Sequence, residues 1–279
     1  MTDEPNPLGA YVRARREQVT PEEAGLTPVG TRRVPGLRRE EVAMLAGISA
    51  DYYLRLEQGR DRNPSVQVLE SLARVLRLDA AATAYLLRLG TPRPRRRPAP
   101  GRPRSVPAGI AQLVTTLALP AVVEDRAFDV LAVNPLATAL SPRLVAGANR
   151  LWDLFRDPAE QDLYPDWEAA TEGAVAVFRE SADTGDPRTR DLIGQLLRTD
   201  PRFGRLWARH DVRTCEGAPI RFAHPQVGEL TLNREKLDIG GTDGQVLLVH
   251  HPVPGTDSAD KLALLASIAR TPAGAGPRI

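Results

Sequence analysis

The sequence has little cysteine, little lysine and no long apolar segment. Its single cysteine, Cys215, excludes an intramolecular disulfide and makes a reducing cytosol the expected environment. Lys236 and Lys261 are the only lysines, which indicates a GC-rich genome more than a function. No apolar run reaches the roughly 18 residues of a membrane-spanning helix, and the first residues, MTDEPNPLG, lack the cationic and apolar regions of a signal peptide. The sequence thus predicts a cytoplasmic protein that does not associate with membranes.

Motifs of the common enzyme and metal-site classes are also missing. The sequence contains no CxxC, HExxH or GxSxG motif, and no glycine-rich phosphate loop follows a predicted strand. His250 and His251 are adjacent in a predicted strand, so their side chains should point to opposite faces and cannot readily share one metal ion. A lone cysteine in a strand, as predicted for Cys215, is more often a small buried hydrophobe than a redox switch. The sequence therefore predicts no enzymatic activity, no metal site and no cofactor.

The charge of the chain is small in total but unevenly distributed. The formal net charge is +2 at pH 7. Residues 1–104 contain 19 arginines and 12 acidic residues, whereas residues 105–279 contain 18 basic and 23 acidic residues. A basic first third joined to an acidic remainder is typical of a nucleic-acid-binding module with a separate sensing or assembly domain.

The segment LRREEVAMLAGISADYYLRLEQG (37–59) has the pattern of a tight helical corner. It predicts one helix over 38–46, a turn at Gly47 and a second helix over 49–58, because glycine accepts the positive φ that such a corner needs. Ser49 stands at the N-cap of the second helix. On this evidence alone, the segment is either a DNA-binding helix-turn-helix or an ordinary helical hairpin within a larger helical domain.

The flanking sequence supports the DNA-binding interpretation. Apolar residues recur at helical spacing in three further segments, 8–18, 66–76 and 80–89. With the two helices of the corner, these segments predict an all-α domain of five helices over residues 1–90. Residues 20–35 are rich in turn formers and predict a long loop, in which Arg32 and Arg33 are either solvated or in contact with a DNA backbone.

The corner and the residues after it resemble a known family. The segment GISADYYLRLEQGRDRNPSVQVLESLARVL resembles the helix-turn-helix of XRE-type, phage-repressor-like transcription regulators. The string VPGLRREEVAMLAGISADYYLRLEQGRDRNPS is similar to the MmyB-like branch of that family. This resemblance implies that residues 49–58 form the recognition helix, whose first turn meets base edges in the major groove of a double-stranded DNA operator.

The resemblance also places the contacts to DNA. The candidate base-reading residues are Ser49, Ala50, Asp51, Tyr52 and Arg55. Arg55 suits a guanine, Asp51 a cytosine amino group and Ala50 a thymine methyl. An acid in the first turn also suits the helix dipole, and for Asp51 this explanation is favoured. The candidate phosphate contacts, which position a protein without reading sequence, are Arg38, Arg39, Arg60 and Arg62.

Residues 91–105 predict a linker. The segment TPRPRRRPAPGRPR (91–104) contains six arginines, five prolines and no acid, and proline at this density favours an extended, semi-rigid chain. Its arginines either stay in solvent or add contacts to DNA. The predicted domains are therefore 1–90, the linker 91–105, and 106–279.

The last of these regions alternates between strand and helix patterns. The patterns predict, in order, a helix over 110–117, strands over 121–124 and 129–133, a helix over 134–140, helices through most of 149–208, strands in 212–217, 219–225, 227–239 and 245–253, and a helix over 258–269. This order predicts an α+β domain with an antiparallel sheet, similar to a PAS-like sensor with enlarged central helices. The whole chain is then an α+β multidomain protein.

Several segments of this region resemble the ligand-binding domain of MmyB-like regulators, among them VLAVNPLA, NRLWDLFRDP, FGRLWARHDV and HPQVGELTL. That domain has been seen to hold a fatty-acid-like molecule, so the resemblance implies a small apolar ligand. The candidate ligand-binding residues combine apolar side chains with basic groups suited to a carboxylate, and they are Val123, Phe128, Val130, Trp167, Phe178, Arg179, Phe203, Trp207 and His210. Aromatic residues at helical spacing are usually part of the core, and at least half of these residues are expected to serve ordinary packing.

These features together predict a sequence-specific, ligand-responsive transcription regulator. It should bind a palindromic operator as a homodimer, so that two recognition helices occupy successive major grooves. The alternative is a DNA-binding regulator whose second domain only mediates dimerisation or protein contacts.

Overall fold

The computed structural model describes residues 6–27, 32, 34–61, 63–91, 105–214 and 219–270. The chain divides into two compact units. The first unit comprises Met1–Pro100 and Arg205–Arg213, and the second comprises Gly101–Gly204 and Thr214–Ile279. Because most of the linker predicted over 91–105 lies outside the described residues, the domain boundaries stay a prediction.

The first unit contains five consecutive helices among its described residues. They are α1 Pro7–Gln18, α2 Arg39–Ala46, α3 Ala50–Glu57, α4 Val66–Val75 and α5 Ala80–Gly90. Helices α1, α3, α4 and α5 each begin with a capping residue whose side-chain oxygen accepts a hydrogen bond from a backbone N–H of the first turn. The capping residues are, in order, Asn6, Ser49, Ser65 and Asp79. Gly47, between α2 and α3, has φ +70°, as the predicted corner requires. The predicted helix-turn-helix within a helical domain is confirmed.

One apolar core joins all five helices of the first unit. Each helix contributes a fully buried side chain to it, for example Tyr11, Val42, Leu56, Leu72 and Leu86. Burying a side chain of this size stabilises a fold by roughly 1.5–3 kcal/mol. The corner of α2 and α3 is therefore held by packing against its neighbours and does not depend on local helix propensity alone.

The second unit is built on a five-stranded antiparallel sheet with the order β2-β1-β5-β4-β3. Its strands are β1 Ala121–Glu124, β2 Val130–Val133, β3 Ile220–His224, β4 Gly228–Asp238 and β5 Val246–His251. Strand β1 pairs with β2 on one side and with β5 on the other, which brings segments far apart in sequence to the middle of the sheet. The predicted α+β class with an antiparallel sheet is confirmed.

Helices surround this sheet in the order that the sequence predicted. They are α6 Ala108–Thr116, α7 Pro135–Leu140, α8 Arg150–Arg156, α9 Pro158–Gln161, α10 Trp167–Ser181, α11 Pro187–Thr199, α12 Pro201–Ala208 and α13 Asp257–Arg270. Pro158, Pro187 and Pro201 each open a helix, where the missing N–H of proline costs nothing. Among the described helices, none is long and apolar enough to cross a membrane.

The two faces of the sheet belong to different layers. Ala121 and Val123 of β1 pack with Val114 of α6. Val122 lies in the opposite layer with Ala137 of α7, because adjacent side chains of a strand point to opposite faces. Helices α7 and α13 cover this second face further along, over β3 and β4.

Two strand predictions differ from the structure. The strand predicted over 129–133 begins at Val130, because Asp129 leaves the ladder and forms an isolated bridge with Asn149. The strand predicted over 212–217 is wrong in its described part, because Val212 is instead buried in the core of the first unit. The remainder of that segment, including Cys215, lies outside the described residues.

Candidate DNA interface and ligand site

Helix α3 turns one side to the core and its first turn to solvent. Tyr53 and Leu56 are fully buried, whereas Ser49, Ala50 and Asp51 are exposed. The Ser49 hydroxyl accepts a backbone N–H of the first turn at 3.1 Å, which fixes the start of the helix. The exposed first turn has the geometry that the predicted base contacts require.

Asp51 and Arg55 form an ion pair one turn apart on the exposed side of α3. Their side chains are 74% and 43% exposed, so the pair is screened by water and is worth only about 0.3–0.5 kcal/mol. The Arg55 guanidinium also lies 5.8 Å from the centre of the Tyr52 ring. A contact between Arg55 and guanine must therefore share or break a weak ion pair that the prediction did not include.

The four arginines predicted to contact phosphates differ in their hydrogen-bond partners. Arg38 and Arg60 are exposed, before α2 and after α3 respectively. Arg39 is exposed as well, but its Nε donates to the buried carboxylate of Glu57 at 2.7 Å. Arg62 lies outside the described residues. Arg39 thus has a structural partner in addition to its predicted role.

A surface groove of about 630 Å³ opens beside the start of α2. Arg38 and Arg39 contribute to its lining together with the acidic residues Glu17 and Glu40. Basic side chains at the start of a helix suit a phosphate group, and the acidic neighbours reduce the net positive charge of this groove.

Glu57 is the centre of a buried ionic cluster that sequence reasoning missed. Its Oε1 accepts a hydrogen bond from Arg16 Nε at 2.7 Å, and its Oε2 accepts one from Arg39 Nε at 2.7 Å. Arg16 also donates to the carbonyl of Leu37 at 2.9 Å. Burial acts to raise the pKa of Glu57, but the hydrogen bonds from the two arginines outweigh burial and lower that pKa. The cluster joins α1, α2 and α3.

Arg32 is tied to the chain around the start of α2. Its guanidinium donates to both carboxylate oxygens of Glu41, at 2.7 and 2.9 Å, and to the Gly36 carbonyl at 2.9 Å. The hydrogen bonds from Arg32 lower the pKa of Glu41 to about 2. Glu41 also accepts the backbone N–H of Arg38 at 2.7 Å, which closes the start of α2. The sequence predicted that Arg32 is either solvated or in contact with DNA, and did not predict this ion pair. Arg33 lies outside the described residues.

Two of the candidate ligand residues lie on opposite faces of the sheet. Val123 packs in the layer of α6 with Val114, whereas Val130 packs in the other layer with Val122 and Leu248. Side chains on opposite faces of a sheet cannot line one pocket. The prediction that Val123 and Val130 share a site is therefore corrected, and Val123 belongs to the α6 layer.

Phe128 and Phe178 meet edge to face in the second unit, with ring centres 5.2 Å apart. The Arg150 guanidinium lies 4.2 Å from the centre of the Phe128 ring and donates to both oxygens of Glu124, at 2.7 and 3.0 Å. Arg179 of α10 is also buried. An arginine–carboxylate pair therefore lies against the aromatic side chains that the sequence proposed for a ligand.

A second aromatic group contains Phe155, Trp167 and Phe203. Phe155 lies 5.5 Å from Phe203 and 6.3 Å from Trp167, measured between ring centres. The indole N–H of Trp167 donates to the Leu154 carbonyl at 2.9 Å, and the guanidinium of Arg202 lies 5.2 Å from the indole centre. These contacts are what the core-packing interpretation of the aromatic residues expects.

Trp207 and His210 lie in the segment Arg205–Arg213, which belongs to the first unit. His210 follows the end of α12 with φ +55°, and its ring centre is 6.2 Å from that of Tyr11. Val212 is part of the first unit's core. His210 therefore lies against α1 of the first unit, and the role predicted for Trp207 and His210 in a ligand site stays a prediction.

Sequence reasoning also missed buried polar groups in the second unit. The Ser141 hydroxyl donates to Glu160 Oε2 at 2.6 Å, and the Tyr164 hydroxyl lies 3.4 Å from Glu160 Oε1. Burial raises the pKa of Glu160. The Tyr164 ring packs against Phe222 at 5.5 Å, and Phe222 packs against His250 at 6.1 Å, measured between ring centres. Polar and aromatic side chains are therefore interleaved inside this unit.

The histidines of the second unit have separate environments. His250 is buried, whereas His251 Nε2 lies 3.2 Å from Glu235 near the surface, so the two rings point to opposite faces as predicted. His224 Nε2 lies 2.9 Å from the carbonyl of Ala139. Within the described part of the chain, no group of histidine, cysteine and acidic side chains is arranged to hold a metal ion.

Comparison with known families gives two matches. Residues 106–265 match the family described as the MmyB-like transcription regulator ligand binding domain. Residues 7–86 match a family described as a helix-turn-helix domain, and this region covers α1 to α4 and most of α5. None of the curated proteins compared with the chain matches it.

Proposed function

The chain belongs to the MmyB-like transcription regulators, and we propose that its helix α3 reads a DNA operator while its second unit holds a fatty-acid-like ligand. Its helix-turn-helix and its ligand-binding domain make it a DNA-binding, ligand-responsive regulator. The observation that carries the DNA-reading assignment is the capped, exposed first turn of α3 on a buried helical core.

The operator contacts follow from the exposure of the first unit. Ser49, Ala50 and Asp51 face solvent at the start of α3, and Arg55 follows one turn later. We expect Arg55 to read a guanine, with Tyr52 against the sugar or phosphate. The proposed phosphate contacts, which include one residue outside the described part of the chain, are Arg38, Arg39, Arg60 and Arg62.

The regulator acts as a homodimer in this proposal. A single recognition helix of eight residues reads only a short half-site, and a two-fold dimer places two such helices in successive major grooves of a palindromic operator. A ligand then changes operator affinity only to the extent that it prefers one conformation or dimer geometry over another.

The proposed ligand site lies among buried apolar residues of the second unit. Its candidate lining combines Phe128 and Val130 from the chain around β2 with aromatic and basic side chains of the helices, namely Trp167, Phe178, Arg179 and Phe203. Apolar walls with a few convergent polar groups are typical of small-molecule sites. Arg179 of α10 is buried in this unit, and an arginine suits a ligand with an acidic end.

Native mass spectrometry of the full-length protein tests this function. We expect the mass of a dimer and, after denaturation, release of an apolar acid in a stoichiometric amount. A protein that releases nothing and takes up no added dodecanoate would contradict the ligand assignment. If the protein is a dimer that neither releases a ligand nor takes up dodecanoate, the result would favour a second unit that only mediates dimerisation or protein contacts.

A further inference from the structure

Strand β4 places an arginine on the helix-covered face of the sheet. Leu230 and Leu232 are buried in the core formed with α7 and α13. Arg234 continues the same alternation two residues later and therefore lies on the same face. It is partly buried, and its directly opposite residue in the neighbouring strand β5 is His250. An arginine and a histidine are thus cross-strand neighbours below the helices.

Both side chains lack the partners that buried polar groups normally have. His250 is only 7% exposed, yet neither of its ring nitrogens has a hydrogen-bond partner among the residues that the structure describes. Arg234 likewise makes no ion pair or hydrogen bond with any described residue. The His250 ring and the Arg234 guanidinium are therefore available to donate hydrogen bonds to a ligand.

Two arginine charges act on His250. The charged groups whose fields reach its ring are Arg234 on β4, Arg150 on α8 and His251 on its own strand. Tyr164, after α9, responds to the same two arginines and to Glu160 of α9. Arg150 is neutralised by its two hydrogen bonds to Glu124. Glu160 accepts a hydrogen bond from the Ser141 hydroxyl, and burial raises its pKa.

Protonation of His250 is disfavoured in this setting. Burial lowers the pKa of His250 to about 3, with further lowering by the Arg234 and Arg150 charges. Burial and Glu160 raise the pKa of Tyr164, whereas Arg150 and Arg234 act against that increase. A single negative charge placed beside Arg234 and His250 would be stabilised by the Arg234 charge.

We propose that Arg234 and His250 form a subsite for the carboxylate end of the apolar ligand, an inference that rests on the ligand-binding function proposed above. The Arg234 guanidinium suits a bidentate contact with a carboxylate, and the His250 imidazole supplies one further N–H donor. A guanidinium that makes no ion pair with any described residue and one neutral donor suit a group with a single negative charge. The rings of Phe222 and Tyr164 provide an apolar wall for the adjoining hydrocarbon chain.

Equilibrium dialysis of the full-length protein with radiolabelled dodecanoate and dodecan-1-ol, after removal of co-purified lipid, tests this subsite. The two probes share a hydrocarbon chain and differ in charge. We expect the wild-type protein to bind dodecanoate at least about tenfold more tightly than the alcohol, as a charged hydrogen bond implies. In Arg234→Met, the dodecanoate affinity should fall by about the same factor while the alcohol affinity stays unchanged.

Two control variants separate charge recognition from damage to the fold. Arg221→Met removes an exposed arginine from β3 of the same sheet and should bind both probes as the wild type does. Arg234→Lys keeps the positive charge and should retain a preference for dodecanoate. Undiminished dodecanoate binding by Arg234→Met would overturn the subsite, and so would an equal loss of both probes in the Met and Lys variants.

The wild-type protein distinguishes failure of the subsite from failure of the function. Equal wild-type affinity for dodecanoate and dodecan-1-ol would overturn the carboxylate subsite while supporting an apolar ligand site. Binding of neither probe would overturn the proposed fatty-acid-like ligand itself, and the subsite with it.

Discussion

Glu57 determines how the three helices around the DNA-binding corner meet. Its side chain is 2% exposed and accepts hydrogen bonds from Arg16 of α1 and Arg39 of α2. A buried carboxylate is tolerated only when its charge is compensated and its oxygens are bonded, and the two arginines provide both. Because Glu57 ends α3, this cluster orients the helix that carries Asp51 and Arg55.

Replacing Glu57 tests that cluster directly. Glu57→Gln leaves the buried Arg16 with only its longer, 3.4 Å contact to the half-exposed Glu17, and breaking a buried pair costs about 3–5 kcal/mol. We expect a loss of this size in the unfolding free energy of the first unit, measured by urea denaturation. Glu40→Gln, at an exposed position of α2, is the matched control and should change it by less than about 0.5 kcal/mol. Equal stability of the two variants would contradict the role given to Glu57.

His250 makes the stability of the second unit depend on pH. Its pKa is lowered to about 3 in the folded protein, while the unfolded chain has the ordinary value of about 6.5. Between these values the unfolded state binds more protons, so the ligand-free protein loses stability as pH falls from about 6.5 towards 3, with a slope of at most about 1.4 kcal/mol per pH unit for this group.

A pair of histidine variants isolates this contribution. His250→Phe should remove it, so the difference in unfolding free energy between wild type and variant should change across that pH range. His251→Phe, which replaces the adjacent, outward-facing ring, is the matched control for the change of side chain. A His250→Phe profile parallel to that of the wild type would show that His250 titrates normally in the folded state.

At the scale of elements, α3 combines a fixed inner side with an exposed first turn. Tyr53 and Leu56 anchor it in the core, and the Ser49 cap ends the turn after Gly47. The exposed side carries an ion pair between Asp51 and Arg55 that contributes little to stability. The element therefore keeps its position while its outer side chains remain available for base edges.

Substitutions on and beside α3 separate base reading from phosphate binding. Arg55→Gln should reduce discrimination at one operator position by about 1–3 kcal/mol. Arg38→Gln should weaken binding to all sequences alike and reduce the slope of log affinity against log salt by about one. Both effects are measurable by fluorescence anisotropy with operator and scrambled DNA. Arg190→Gln, at an exposed position of α11, is the control and should match the wild type in both measurements.

Local sequence signals predicted the helices and turns better than the contacts between residues far apart in the chain. The corner at Gly47 and the cap at Ser49 depend on neighbouring residues, and both are confirmed. Arg16 follows Leu8 and Val12 at helical spacing, so the sequence predicts that its side chain points inward. The sequence does not predict its partner Glu57, because the contact joins residues 41 positions apart.

The candidate ligand residues illustrate the same limit in the sheet. The alternation of Leu230, Leu232 and Arg234 was visible and places the arginine on the covered face. Every residue of β1 is buried, so the sequence shows no alternation of apolar and polar residues from which the face occupied by Val123 could be predicted. That face follows only from the pairing of β1 with β5, a strand far away in the sequence. His210 could not be placed because its unit is determined by packing with α1.

At the scale of the whole molecule, DNA binding and ligand binding belong to different units. The first unit contains the helix-turn-helix and also the segment Arg205–Arg213. There Asp211 pairs with Arg15 at 3.1 Å, so a stretch of chain following α12 completes the DNA-binding unit. A ligand effect on operator affinity is then a coupling free energy between two sites, and it acts equally in both directions.

Operator affinity with and without ligand tests the central claim most directly. An operator is first selected from random DNA with the delipidated full-length protein, and its Kd is then measured without ligand and with saturating dodecanoate. We predict a clear preference for the selected sequence and a change in Kd of about 5–150-fold, the usual range of allosteric coupling. Equal affinity for selected and random DNA, or an operator Kd unchanged by dodecanoate, would contradict the account.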